Sequence, residues 1–503
     1  MKDIPEQLSL FTPEQLQEIT QQIIVQRIQQ QPHILIKLQE NALTVAENLQ
    51  GNYFENTAKL VNFLRQNNQK NNLFKIGNVG QPQWSDVQDE VVTFIDGGVG
   101  QVEMASPVPV LIRVGSYKVK TGEHDISKRE EFAYYPIIFG DLEGGSKERK
   151  DFVDIVRITS ELLGAIAALE RTPDLKVLMI HGPLVYMMSA YAGHSPFTEK
   201  DIDLFLENYP GSEKFAQKLK EDFWKEAELI YPKMTSHHQH LIDKKVFEPL
   251  TWIAFLYRRL IKEAKSRKRK IKPLIMGVIE RNELKEFSLR MFGKIFDNLR
   301  KNNQKNYFND LYGRNDLNDP KVFLDRLNYK DTLLLSMLLE TQEFSQPWEM
   351  IYKYQNLPEG DKSNIILPNE SYEIPFKWSY LKPDQSKYCF PKVTGFYLKV
   401  SDTTEPVRIE VFSELGKEQI TEAAKRVFLY SQLLPGYGFP IGLDMVDKYA
   451  KVPNWMTDAY AKQIQYHLGV SLQSGQIKDK EMRKMLIQSI YMTKRDWLFR
   501  PNV

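Results

Sequence analysis

Apolar positions in the first part of the chain recur at helical spacing. Ile19, Ile23, Ile24 and Ile28 share one face of "LQEITQQIIVQRIQQQ", which follows Thr12-Pro13-Glu14-Gln15, an N-cap with a proline at the first helical position and a capping-box glutamine. A second helix is expected from about Asn41 to Leu64, and "RQNNQKNN" after it reads as a linker. The pattern then changes to strand-like runs at about 90–96, 101–118 and 131–139, the last two separated by the polar turn "KTGEHDISKRE". "DFVDIVRITSELLGAIAALE" (about 151–170) carries a continuous apolar face and predicts a helix, and "LKVLMIHGPLVY" predicts a buried strand ending at His181-Gly182-Pro183. The order to this point is strand, strand, strand, helix, strand. A helical region follows (about 197–270), then a strand "KPLIMGVIE" and helices near 284–302 and 330–341. A hairpin-like pair, "KVTGFYLKV" and "VRIEVFSE", precedes a closing helical stretch from about 416, and no internal repeat is present.

Composition narrows the class. With 503 residues, 42% hydrophobic and 26% charged, the chain is long enough for two or three folded units around a substantial core. A net charge of +2 announces no nucleic-acid or acidic partner as a whole, so any basic surface is local. A single cysteine, Cys389, excludes an intrachain disulfide and a cysteine zinc knuckle. The start, "MKDIPEQLSLFTPEQ", has no apolar signal core and no apolar run approaches the ~18 residues that span a bilayer, so a soluble intracellular protein is expected.

Three places carry candidate chemistry. The strand before Asp96 is apolar on consecutive positions, as in a strand covered on both faces, and it runs into an aspartate and two glycines. Asp96-Gly97 is either a hairpin turn or a carboxylate delivered to a site. On the helix over 151–170, Asp154, Arg157, Glu161, Gly164, Ala165 and Ala168 share a stripe that is polar first and small afterwards. The small residues let the helix approach the sheet, which would bring Glu161 near the strand ends of Asp96 and His181; an ordinary Arg157–Glu161 surface pair is the alternative. In "GYGFPIGLDMVDKYAKVP", Leu443, Val446, Asp447 and Ala450 form a helical stripe that contains an acid, so Asp447 needs a partner. His181 is either a satisfied core histidine or a ligand opposite Asp96. "SHHQH", with His237, His238 and His240, reads as a solvated turn rather than a metal tract. "KEAKSRKRKIK" places seven basic residues between 262 and 272, either as a solvated helix end or, with Lys268, Arg269 and Lys270, as a phosphate-contacting patch.

"FIDGG", the helix with Glu161, "VLMIHGPLV", "IMGVIER", "YKDTLLLSMLLE", "VRIEVF" and "FPIGLDMVDKYA" stand in the order and approximate spacing of the NurA nuclease family, which this chain resembles over about 90–455. The resemblance implies a ribonuclease H-like mixed α/β sheet with flanking helices, here with an N-terminal helical extension (1–85), a nuclease domain (86–460) holding the helical insertion, and a C-terminal helical tail (461–503). It implies a cytoplasmic homodimer that cleaves DNA with Mn²⁺ or Mg²⁺, by a two-metal mechanism, beside a HerA-like hexameric ATPase in end processing, repair or defence. The family's first aspartate falls on Asp96 and its helical glutamate on Glu161, with Glu170 as the alternative. The family's Asp-Gly strand end is His181-Gly182 here, and its Tyr-Pro followed by Ala-His is Phe439-Pro440 followed by Val446-Asp447, so a role for the lost hydroxyl would fall to Tyr437. Asp96, Glu161, His181 and Asp447 together still offer three carboxylates and an imidazole, a set suited to Mn²⁺ or Mg²⁺. An assembly subunit that keeps the fold but has lost metal binding through the changes at His181 and Asp447 is the rival expectation.

Overall fold

The computed structural model describes residues 32–71, 74–101, 110–139, 146–185, 197–230, 245–247, 249–280, 283–349, 391, 393–434, 436–475 and 477–491. The expected helix around Ile19 to Ile28, the histidines His237, His238 and His240, and Cys389 lie outside these residues.

Contacts divide the chain into two units, Met1–Phe74 with Leu284–Leu338, and Lys75–Glu283 with Leu339–Val503. The first is helical. Pro32–Asn48 passes through a π-helical stretch, Leu49–Phe54, into Glu55–Asn71, so the helix expected from about Asn41 to Leu64 lies inside a longer run. Four further helices, Glu286–Lys301, Tyr307–Tyr312, Pro320–Arg326 and Asp331–Leu338, complete the unit. Its core is aromatic: Phe292, Phe308 and Phe323 are buried, and Phe63 stacks on Tyr307 with ring centres 4.5 Å apart. The fully buried Asp331 accepts the backbone N–H groups of Phe287 and Ser288, satisfying the open end of the helix Glu286–Lys301 from a different helix. By contacts the N-terminal helices up to Phe74 group with a segment from the middle of the chain, Leu284–Leu338.

The second unit is built on a sheet. Its strands are β1 (Ile76–Asn78), β2 (Val91–Gln101), β3 (Val110–Lys120), β4 (Glu130–Phe139), β5 (Leu175–His181), β8 (Leu274–Ile279), β9 (Glu343–Ser345), β10 (Trp348–Glu349), β11 (Val393–Leu398) and β12 (Val407–Phe412). A separate pair, β6 (Phe197–Thr198) and β7 (Val246–Phe247), belongs to the helical insertion. The order is β1-β9-β11-β12-β8-β5-β2-β3-β4, with β10 also on β11. Strands β2, β3 and β4 are antiparallel neighbours, while β5 is parallel to β2 and β8 to β5. This is the ribonuclease H-like arrangement that the element order predicts, extended beyond β8 by β12, β11, β9 and β1.

Every residue of β8 and β12 is buried, which accounts for the unbroken apolar sequence of β8, while β12 buries Arg408 and Glu410 among its apolar residues. The helix Ser146–Arg171 covers one face and the helices Gln419–Ser431 and Ile441–Ala450 the other. Two glycines show the sidedness: a Cβ on Gly97 would lie 2.6 Å from Glu161 Oε1, and one on Gly98 would lie 2.1 Å from the carbonyl oxygen of Ala450. Successive strand residues point to opposite faces, so each glycine admits one of the two helices at close approach. Among the described residues, no helix is long and apolar enough to cross a membrane.

Candidate metal centre

Asp96 is neither a turn nor a strand terminus. β2 continues through it to Gln101, paired throughout with β3, whereas the parallel pairing with β5 stops at Ile95 opposite Ile180. The two strands part there. Asp96 and His181 occupy the opening, the position where parallel α/β sheets present their sites. Their side chains touch, with His181 Nδ1 3.1 Å from Asp96 Oδ2. With a proton on Nδ1 directed at the carboxylate, Nε2 is left with the lone pair that can ligate.

The third member comes from the opposite end of the chain. In the helix Ile441–Ala450, Leu443, Val446 and Ala450 are buried against the sheet, and Asp447 sits at the edge of that stripe, half-buried. Asp96, His181 and Asp447 each offer a ligand atom within 4.8 Å of the others. Burial first, then the neighbouring Asp96, raises the Asp447 pKa, opposed by His181. Burial works against protonation of His181, but the Asp96 bond and the charges of Asp96, Asp447 and Glu161 outweigh it, and its pKa is raised. A carboxylate driven toward its protonated form by burial and a neighbouring acid marks a candidate functional site. Two carboxylates and one imidazole within reach of one point fit Mn²⁺ or Mg²⁺.

Glu161 stands beside this trio. Its carboxylate is 2% exposed, lies under Gly97, and takes Nη1 of Arg157 at 2.6 Å. The expected i,i+4 pair is thus present, but buried. Desolvation pushes the Glu161 pKa up to about 7, helped by Asp96 and opposed by Arg157 and His181. The alternative, Glu170, is placed elsewhere: nine residues further along the helix, about 13 Å on, it accepts hydrogen bonds from Tyr209 Oη and Ser212 N.

An open groove of about 520 Å³ runs over the trio. Arg157 and Lys451 supply its cations, Glu280 and Asp444 further acids, and Tyr437 and Phe439 an aromatic wall. Phe439 lies 5.6 Å from the His181 ring, and Tyr437 Oη donates to Asp444 Oδ1 at 3.2 Å. Glu280 directly follows the apolar run of β8, as Asp96 follows an apolar run in β2. Lys268, Arg269 and Lys270 are not brought here. They precede β8, whereas the groove lies past its other end, about 20 Å away. Arg269 donates to the carbonyls of Leu169 and Thr172, closing the last turn of the helix Ser146–Arg171.

Residues 254–452 match the family model described as NurA, NurA domain. This part of the chain is similar to a NurA domain. The match takes in Asp447 and stops short of Asp96, Glu161 and His181; the sheet brings Asp96 and His181 to Asp447. Among solved structures, that of the NurA nuclease from Sulfolobus solfataricus is 12% identical, covering 86% of this chain and 98% of that one at a TM-score of 0.44. A NurA structure with manganese is 10% identical, covering 87% and 97% at 0.38, and one with dAMP and manganese is 12% identical, covering 82% and 94% at 0.30. No curated protein matches.

Proposed function

We propose that this chain is a metal-dependent deoxyribonuclease that holds Mn²⁺, or Mg²⁺, at Asp96, His181 and Asp447. The observation that carries the reading is the convergence of these three ligand groups in the floor of an open groove. The NurA match over 254–452 supports a nuclease, and manganese and dAMP in solved NurA structures support the choice of ion and of nucleic acid.

The ion would polarise the scissile phosphate and lower the pKa of an attacking water. Asp96 and Asp447 provide the negative charge that holds it, and His181 a neutral nitrogen. Arg157 and Lys451 face the incoming phosphate, and Arg157 also neutralises Glu161. Glu161 is the carboxylate nearest the trio from the opposite sheet face, and the one we assign to a second ion. Lys268 and Lys270, exposed at the far end of β8, add sequence-independent attraction for a DNA backbone. A HerA-like hexameric ATPase, a homodimer and a cytoplasmic role in end processing, repair or defence complete the proposal.

Purified protein, alone and with such an ATPase, should degrade DNA with Mn²⁺ and not with EDTA, and Asp96→Ala should abolish cleavage while the fold persists. Calorimetric titration counts the ions. Undiminished cleavage by Asp96→Ala would sink the site, and an absence of Mn²⁺ binding by the wild-type protein would favour the non-catalytic assembly subunit.

A further inference from the structure

Two charged side chains lie in the middle of the sheet with no part in the groove. Arg408 and Glu410 project from one face of β12, 5% and 0% exposed, with Arg408 Nη2 2.7 Å from Glu410 Oε1. A buried pair of this kind is a poor source of stability, because the cost of removing both charges from water commonly matches their attraction. The pair also has another contact: the second oxygen of Glu410, Oε2, accepts the backbone N–H of Leu184 at 2.8 Å.

Leu184 lies three residues past the candidate ligand His181, two strands away from β12. Ile180 of β5, Gly277 of β8 and Glu410 of β12 stand in one row across the sheet. Gly277 leaves the middle of that row bare. A Cβ there would lie 2.6 Å from the carbonyl oxygen of Gly182 and 2.8 Å from Leu184 N, so the chain leaving His181 crosses directly over it. Gly182, at φ +107°, makes the turn and donates its own N–H to Val278 O at 2.9 Å. The segment is held at Gly182 by β8 and at Leu184 by Glu410. Burial pushes the Glu410 pKa up, while the Arg408 guanidinium and the Leu184 N–H, both aimed at its oxygens, oppose that.

We infer that Glu410, oriented by Arg408, is a positioning residue that clamps the segment after β5 and so fixes the direction in which His181 is presented to the metal. The inference rests on the metal-site reading above. Partners one step behind a ligand typically change metal affinity by about 10–100-fold when lost.

The test replaces the pair by apolar residues, Arg408→Met together with Glu410→Leu, and measures the thermal midpoint without metal and the Mn²⁺ dissociation constant by calorimetry. Because the Leu184 N–H loses its partner, the midpoint should fall modestly on either reading; a clamp in addition weakens Mn²⁺ binding about tenfold or more, whereas a purely structural pair leaves the Mn²⁺ affinity of the folded variant unchanged. Gly277→Ala, which displaces the same segment without touching a charge, should weaken Mn²⁺ similarly, and adding it to the pair replacement should cost little further affinity. It carries the test if the pair replacement does not fold. Wild-type Mn²⁺ affinity in either folded variant overturns the clamp. Failure of the wild-type protein to bind Mn²⁺ overturns the metal site itself, and the clamp with it.

Discussion

Gly98→Ala tests whether the seat of one helix sets the geometry of the centre. A methyl group at Gly98 would sit 2.1 Å from the Ala450 carbonyl oxygen and 2.6 Å from its carbon, both backbone atoms that no rotamer change can move. Reaching even the 3.0 Å below which real contacts are essentially absent requires the end of the helix Ile441–Ala450 to withdraw from β2 by about 0.9 Å. Overpacking of this kind costs about 1–3 kcal/mol. Replacing a strand glycine returns about 0.5–1 kcal/mol of backbone entropy, so the net loss should be on the order of 1–2 kcal/mol. The effect on the centre should be larger than the effect on the fold. Asp447 sits one turn before Ala450, and metal–ligand distances tolerate only about 0.2 Å, so Mn²⁺ should bind about tenfold or more weakly and cleavage should fall by up to about a hundredfold. Calorimetry with Mn²⁺ and a thermal melt read the two quantities separately. Gly293→Ala serves as the control: it lies in the helix Glu286–Lys301 with nothing within 4 Å of the added carbon, and should be neutral or stabilising by up to about 1 kcal/mol. Wild-type Mn²⁺ affinity in Gly98→Ala would refute the claim that this contact places Asp447.

Two further outcomes follow from the electrostatics. Glu161, whose pKa is about 7 in the fold against a model-compound 4.5, binds its proton more tightly folded than unfolded, so its contribution is fully present below pH 4.5 and is lost as pH rises through 7. The metal-free protein should therefore lose up to about 3 kcal/mol over that window. Since His181 and Asp447, both raised, must shed protons to ligate, the Mn²⁺-induced rise in melting temperature should be small at pH 5.5 and larger at pH 8; equal rises would refute the assignment. Arg269→Ala removes two hydrogen bonds to helix-end carbonyls and should cost about 1–2 kcal/mol without changing Mn²⁺ affinity. Weakened DNA binding at an unchanged melting temperature would instead make Arg269 a phosphate contact.

The sequence by itself determined the elements and their order. Consecutive apolar residues before Asp96 and in "KPLIMGVIE" mark strands buried on both faces, the stripe on 151–170 marks the helix that covers them, and strand-strand-strand-helix-strand admits few sheet orders besides the one found. It also exposed Asp96, His181 and Asp447 as polar groups in apolar surroundings. These signals are local, arising from burial along a few neighbouring residues. Tertiary structure decided the rest. Periodicity says that Asp447 shares an apolar stripe but not which strand that stripe meets, and Asp96 and His181 touch across 85 residues because β2 and β5 part at one register position. The burial of the Arg157–Glu161 pair under Gly97, the engagement of Arg269 with a helix end, the completion of the N-terminal helices by 284–338, and the reach of Glu410 to Leu184 share that character. Each depends on where two distant backbones come within a few ångströms, and the side chains present permit that approach without encoding its partner.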